Sequence, residues 1–434
     1  MDSKEIALGI DFGTSGARAI ALSNQNRIVA DSRHRFKKSQ FNRPSNWRNV
    51  LFTLIADVAR QLSNPAAIQR IAINGTSATV LLCDAEQTPL TPVLLYNDTR
   101  ARAALAQVEQ IAPQGSPTLS ATSSLTKAIW WSKTLPSALK SKARLVHQAD
   151  WLAAQLHAQT PVSDYHNALK LGYDVSAGEY PDWLRALPIA PWLPEVVEPG
   201  RAIAPIDPSI AAQLSLSKTC QICAGTTDSI AAFLASSAKQ SGEAVTSLGS
   251  TLVLKLLSSV PINSASFGIY SHKLGDLWLA GGASNTGGAV LKQFFSAEQI
   301  AHLSEQIDLT IPCELDYYPL NSPGERFPIN DPDYLPRLDP RPASDRDFLY
   351  GLLEAIARIE AQGYQKLQDL GGPSVRHVYT AGGGAQNKVW QLLRQRKIGK
   401  PVRTATQTEA ACGTARLAKD GLVAFKDTNA PPDS

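Results

Sequence analysis

Ile10-Asp11-Phe12-Gly13-Thr14-Ser15-Gly16 lies between the apolar runs 6–10 and 17–21, and a second stretch, Leu248-Gly249-Ser250-Thr251, lies between 244–245 and 252–254. Each reads as a strand, a tight glycine and hydroxyl turn, and a second strand. Glycine lets the backbone come close to a phosphate, and the turn N–H groups and the Ser/Thr hydroxyls then donate to its oxygens. A single Gly-Thr or Gly-Ser pair is ordinary hairpin chemistry. Its repetition, with an acid directly ahead of the first copy, points to a grip on one polyphosphate from two turns. Phosphoryl transfer fits such a grip, because positioning and charge neutralisation supply most of its catalysis. The chain carries no GxxxxGK[ST] run and no protein-kinase motif set, which argues against a P-loop kinase and a protein kinase.

Composition narrows the setting. At 434 residues the chain exceeds what one hydrophobic core usually serves, so two domains and a cleft between them are expected. The 42 basic and 38 acidic residues leave a net charge of +4 without a concentrated basic block. The nearest approach to one, Arg394-Gln395-Arg396-Lys397, reads as a solvated helix face, so no nucleic-acid partner is expected. No apolar stretch approaches the roughly 18 residues of a membrane span, and Met1-Asp2-Ser3-Lys4-Glu5 runs straight into a strand without a signal pattern. A soluble cytoplasmic protein without a membrane partner is the expectation, as monomer or homodimer. The five cysteines are odd in number and scattered, which favours reduced thiols over a disulfide framework. Cys220-x-x-Cys223 has no second ligand pair near it, so it reads as part of a buried strand.

Along the chain, strands are expected at 6–10, 17–23 and 28–36, then a helix from Pro44-Ser45 with Trp47, Leu51, Leu54, Ile55, Val58 and Leu62 on one face. Strands at 70–73, 79–83 and 93–96 precede a mostly helical region through 125–133 and 149–156. The second lobe repeats the meander at 243–256, 266–271 and 277–281. Pro323, Pro328, Pro332, Pro336, Pro340 and Pro342 then exclude regular helix or central strand. Ser344-Asp345-Arg346-Asp347 opens a long amphipathic helix to about 370. A strand at 378–380, a Gly-rich turn, a helix from Gln386, a short strand near Val402 and a helix over 409–419 close the chain. Domains are accordingly drawn at 1–237 and 238–425, with a frayed tail at 426–434.

Gly225-Thr226-Thr227-Asp228, at a strand end and opening a helix, would project its carboxylate into a cleft. There it suits a base for an attacking hydroxyl, and an N-cap role is compatible with that. A carboxylate of ordinary pKa, about 4, is a weak base for an alcohol. Its task is therefore to orient the hydroxyl and take the proton late.

With both phosphate turns, this Gly-Thr-Thr-Asp element and Ala381-Gly382-Gly383-Gly384 in this order, the chain resembles the FGGY carbohydrate kinases of the actin, hexokinase and Hsp70 superfamily. The resemblance spans roughly 5–422. It includes Tyr96-Asn97-Asp98-Thr99-Arg100, Gly324-Glu325-Arg326-x-Pro328 and Glu409-Ala410-Ala411-Cys412-Gly413-Thr414-Ala415. It implies an α/β fold of two ribonuclease-H-like domains flanking a central ATP and sugar cleft.

Carried over residue by residue, the resemblance makes Asp228 the catalytic base and Asp11 the residue that holds Mg²⁺, usually through water. Gly13, Thr14 and Ser15 would meet the γ-phosphate, with Gly249, Ser250 and Thr251 opposite, and Gly287-Gly288 would let the nucleotide phosphates approach a helix start. Gly382, Gly383 and Gly384 would leave room for adenine, with Gln386 or Asn387 at its edge. Asn97, Asp98 and Arg100 would bind sugar hydroxyls. Where many pentulose kinases carry Gln-Met-His, this chain has Thr76-Ser77-Ala78-Thr79, with Thr76 and Ser77 as candidate sugar contacts. Small hydroxyls there, with the compact length, resemble the short cyanobacterial and plastid members, for which D-ribulose is the implied acceptor. Still open are a kinase for D-xylulose, a polyol or glycerol, and a non-catalytic nucleotide-gated scaffold.

Overall fold

A computed structural model describes residues 5–37 and 41–427. The expected tail therefore lies outside the described residues except for Lys426 and Asp427, as do the first four residues. The chain forms two compact units, which part between Ala235 and Ser236, between Thr408 and Glu409, and between Val423 and Ala424.

The first unit opens with β1 (Ile6–Phe12), β2 (Gly16–Ser23) and β3 (Ile28–Arg35), an antiparallel meander. Then come α1 (Pro44–Gln61), β4 (Ile68–Gly75), β5 (Val80–Cys83), α2 (Ser124–Thr134), β6 (Arg144–His147) and α3 (Gln148–His157). β7 (Ala202–Pro205), β8 (Gln221–Thr227) and α4 (Asp228–Ala235) follow. The main sheet runs β3-β2-β1-β4-β8-β7, with β1, β4 and β8 parallel. Proline at its first turn fits the start of α1, and its apolar stripe of Trp47, Leu51, Leu54, Ile55 and Val58 is buried against the sheet.

The second unit repeats the plan with β9 (Glu243–Leu248), β10 (Leu252–Ser258), β11 (His272–Leu274), β12 (Leu277–Ser284), α5 (Gly288–Phe294), α6 (Ala297–Glu305), α7 (Asp345–Asp369), β13 (His377–Ala381), α8 (Lys388–Ile398) and β14 (Val402–Thr404). Its sheet runs β11-β12-β10-β9-β13-β14, antiparallel through the meander and parallel from β9 to β14. The 266–271 strand does not form: a bridge from Ser264 to Ile269 closes a loop there, and pairing resumes at β11. Likewise 93–96 contributes only a bridge from Leu94 to Val80. In both places the backbone turns after one pair instead of running alongside a partner.

The last helix, α9 (Ala410–Asp420), belongs to the first unit and not to the second, where a simple cut at 237/238 would put it. Small residues make this possible. A Cβ on Gly9 of β1 would stand 2.1 Å from the Ala411 carbonyl oxygen, and one on Gly413 would stand 1.9 Å from the Ala231 carbonyl oxygen of α4. Alanine at Gly9 would force the helix off the sheet, and alanine at Gly413 would force it off α4.

Candidate active site

In the first unit the candidate residues gather at the C-terminal ends of β1, β4 and β8. Asp11, Asn74 and Thr226 are register partners across these three strands, and Asp228 begins the helix after β8. β8 reaches this point through a bulge: its register against β4 shifts between Cys223 and Thr226. Gly225 sits inside the shift, where a Cβ would fall 1.8 Å from the Ile73 carbonyl oxygen. Only glycine fits, and the bulge re-aims the residues that follow. His166 and the Thr226 hydroxyl share a hydrogen bond of 2.8 Å that fixes the new direction, and Asp228 Oδ1 accepts from the Ser229 N–H at 2.7 Å.

Asp11 carries the electrostatic signature of the site. Burial, then the charges of Asp228 and Glu409, push its carboxyl up to about 7, against the opposing pull of Asn74 and Arg18. The two acids singled out in the sequence are thus close enough to repel one another. Arg18 is itself engaged by Glu409 and, at 3.2 Å, by Asp31. The turn after Asp11 closes through the Gly13 N–H donating to the Gly16 carbonyl at 3.0 Å, leaving Thr14 and Ser15 exposed.

The turn after β4 is tied down from within. The Thr76 hydroxyl is buried and bonded to Gln148 Oε1 at 3.1 Å and to the Thr79 hydroxyl at 2.6 Å, so it supports the turn, while Ser77 is partly exposed. Among the described residues, Thr227 Oγ1 and Gln148 Nε2 are buried without a hydrogen-bond partner. Both flank Gly75: Thr227 is its ladder partner, and a Cβ on Gly75 would stand 3.0 Å from Gln148 Oε1. Asp98 and Arg100 pair with each other in an exposed turn at 2.6 Å. Burial pushes the Asp98 carboxyl up, but the hydrogen bonds and charge of Arg100 outweigh it and hold the group below its usual range. Asn97 is exposed.

The second unit contains a cavity of about 730 Å³. It joins the second glycine and hydroxyl turn to the glycine run: Gly249, Ser250, Gly383, Gly384, Gln386 and Asn387 all line it. Thr251 and Gly287 stand behind this wall. The Leu252 N–H donates to the Thr286 carbonyl at 2.8 Å, the Gly288 N–H to the Gly249 carbonyl at 2.9 Å and the Ala289 N–H to the Ser250 carbonyl at 3.0 Å. Gly287 has φ 141°, and a Cβ there would meet the Ser250 carbonyl oxygen at 2.8 Å. The first N–H groups of α5 therefore hold the turn. Glu325, only 2 % exposed, braces this segment by accepting from the Ser284 hydroxyl at 2.5 Å and the Asn285 N–H at 2.8 Å. Asn387 has its amide committed: Oδ1 accepts from the Trp390 N–H at 2.9 Å and Nδ2 donates to the Ser304 hydroxyl at 2.8 Å. Gln386 stays exposed at the rim.

Residues 6–235 match the N-terminal domain of the FGGY family of carbohydrate kinases, and residues 244–419 match its C-terminal domain. The chain belongs to the FGGY family of carbohydrate kinases. As a member of that family it is an ATP-dependent carbohydrate kinase, with ATP and a sugar as its small-molecule partners. Among curated FGGY relatives, the xylulose kinase of Staphylococcus epidermidis is 23% identical over 98% of this chain and 89% of its own length. The L-fuculokinase of Escherichia coli is 21% identical over 95% and 92%. The solved xylulose kinase from Rhodospirillum rubrum superposes with a TM-score of 0.82 at 19% identity, covering 96% of this chain and 90% of that one. Plasmodium falciparum glycerol kinase with ADP gives 0.80 at 17%, covering 96% and 90%. The two-domain α/β FGGY fold is thereby established.

Local sequence pattern does not mark Lys127, Gln148, Lys292 or Trp390, which the structure places beside the candidate residues. The first two are buried polar residues in helices whose apolar neighbours mask them. The last two line the second-unit cavity from helices α5 and α8, which no local motif marks as ligand-facing. Glu409 was visible only as part of a resemblance signal. Among the described residues no helix is long and apolar enough to cross a membrane.

Proposed function

We propose that the protein transfers the γ-phosphoryl group of ATP to a ketopentose, D-ribulose, giving D-ribulose 5-phosphate in the cytoplasm. The observation that carries the reading is that Asp11 and Asp228, at the ends of β1 and β8 on either side of β4, feel each other's charge beside the short-hydroxyl turn of Ser77. Asp228 orients the acceptor hydroxyl and takes its proton as the metaphosphate-like group is captured. The partnerless Thr227 hydroxyl and Gln148 amide suit a polyhydroxylated ligand, since buried polar atoms of this kind are normally satisfied. Ser77, Asn97, Asp98 and Arg100 supply further hydroxyl contacts. Thr14, Ser15 and the backbone of Gly13 receive the terminal phosphate. The purine sits in the second-unit cavity against Gly383 and Gly384, with Gln386 at its edge.

Mg²⁺ fits the residues present. Burial first, and then the charges of Asp228 and Glu409, raise the Asp11 pKa, and among the described residues no group of three or more His, Cys, Asp or Glu could cage an ion alone. Asp11 would hold the ion through water, in the manner of a hard cation that arrives with phosphate oxygens. When bound, it neutralises charge on the transferring group.

A panel of D-ribulose, D-xylulose, glycerol and polyols with ADP readout tests the acceptor, and highest kcat/KM on another sugar would overturn D-ribulose. Asp228→Ala should lower kcat by about 100-fold or more. Undiminished turnover by that variant would remove the proposed base.

A further inference from the structure

Lys127 is a lysine with no exposed surface. It projects from α2, whose Leu125, Ala128 and Ile129 belong to an apolar cluster, and leucine or methionine at a buried position would carry no such desolvation cost. Its ammonium donates to the Ala78 carbonyl and to the Leu95 carbonyl, each at 2.7 Å. Those carbonyls belong to two different segments. Ala78 lies in the turn that carries Ser77 and holds a left-handed φ of 60°, a conformation that side-chain-bearing residues keep only where surroundings enforce it. Leu95 opens the turn of Asn97 and Asp98, and its carbonyl also accepts from the Asp98 N–H at 2.9 Å. A second tie runs alongside, from the Tyr96 N–H to the Thr79 hydroxyl at 3.0 Å.

We propose that Lys127 is a positioning residue that clamps the Ser77 turn to the Asn97–Asp98 turn and so sets the spacing at which the acceptor's hydroxyl groups are read. One ammonium bonded to two carbonyls fixes their separation. The paired bonds between Val80 and Leu94 join the two segments at their base, and the ammonium fixes the turns beyond that bridge. Burial lowers the Lys127 pKa to about 7, with Asp98 opposing that shift and Lys170 and Arg100 adding to it. Keeping a buried lysine at that cost is explained by a geometric task that no apolar side chain performs. The inference rests on the reading of Ser77 and Asn97 as acceptor contacts, and its test separates the two.

Hydrogen exchange on the full chain needs no substrate. In the wild type, the amides of Thr79, Tyr96 and Asp98 should open together, with one denaturant dependence, and Lys127→Met should speed all three by about tenfold or more while α1 and β4 keep their protection. Independent opening in the wild type, or unchanged exchange in the variant, overturns the clamp. In the kinetic arm, K127M should raise the acceptor KM about tenfold and leave the ATP KM within about twofold. The double variant K127M/S77A should be no worse than S77A alone, because the clamp acts through that turn. Additive losses would overturn the proposal. A wild type that phosphorylates no sugar would sink the functional reading, and the exchange result would still decide the clamp.

Discussion

Two ionisable side chains in the first unit sit where water would serve them better, and each is held there by geometry. Asp11 is raised to about 7 by burial and by two neighbouring acids, a charge accumulation that only a cation or a proton relieves. Lys127 is shifted the other way, from 10.5 to about 7, chiefly by burial. The sign of its linkage to stability follows. Between pH 7 and about 10.4 the unfolded chain binds a proton at this lysine that the folded chain does not, so unfolding takes up a proton and stability rises with pH. Below pH 7 both states are charged and the burial cost is borne in full. Relative to K127M, the wild type should therefore gain stability as pH goes from 7 to 10, read as a growing difference in denaturant midpoint. A flat difference would mean that Lys127 is neutral throughout or freely solvated. Glycine acts at the same scale through absence: Gly225 exists because the Ile73 carbonyl occupies the place of its Cβ, and Asp228 follows from that bulge.

Between elements, the second unit is locked by a buried network. Arg394 of α8 donates to both oxygens of Glu360 on α7, at 2.5 and 2.8 Å, and its third nitrogen donates to the Thr380 hydroxyl of β13 at 2.7 Å. Thr246 of β9 donates to Glu360 and shares a bond of 2.8 Å with the Tyr364 hydroxyl. Two helices and two central strands thus meet at one ion pair that excludes water. Arg394→Met leaves a carboxylate buried without its partner and should destabilise this unit by about 3–5 kcal/mol, whereas Glu360→Met with Arg394→Met should recover much of the loss. Urea unfolding followed by hydrogen exchange at the amides of β9 and β13, which lie in this unit, checks both. The elements themselves were largely legible. The apolar stripes of α1 and α7, the proline-rich crossing and the meanders, apart from the 266–271 strand, follow from periodicity and turn chemistry. The buried lysine and arginine were not legible, because charge at one position of an amphipathic helix looks like solvent exposure until the facing strands are known.

Over the whole molecule, chain order and packing part company at α9. Its small residues lie on β1 and α4, and Ala7, Ala72, Cys223 and Ala418 form one buried cluster. A chain ending at Ala235 should expose that face and associate in size-exclusion chromatography, while the same chain linked to residues 409–423 should elute as a compact species; equal behaviour would show that α9 is dispensable to the first unit. The sequence by itself determined the duplicated meander, the two glycine and hydroxyl turns and the acid after the Gly-Thr-Thr strand. Each is written in local periodicity and in residues that only tight turns require. Tertiary structure alone decided that Asp11 and Asp228 share one electrostatic field, that Asn387 and Thr76 are occupied with support, and that the last helix serves the first unit. Those outcomes depend on contacts between residues far apart in the chain, where close packing and the satisfaction of buried polar groups select among arrangements that local pattern leaves equivalent.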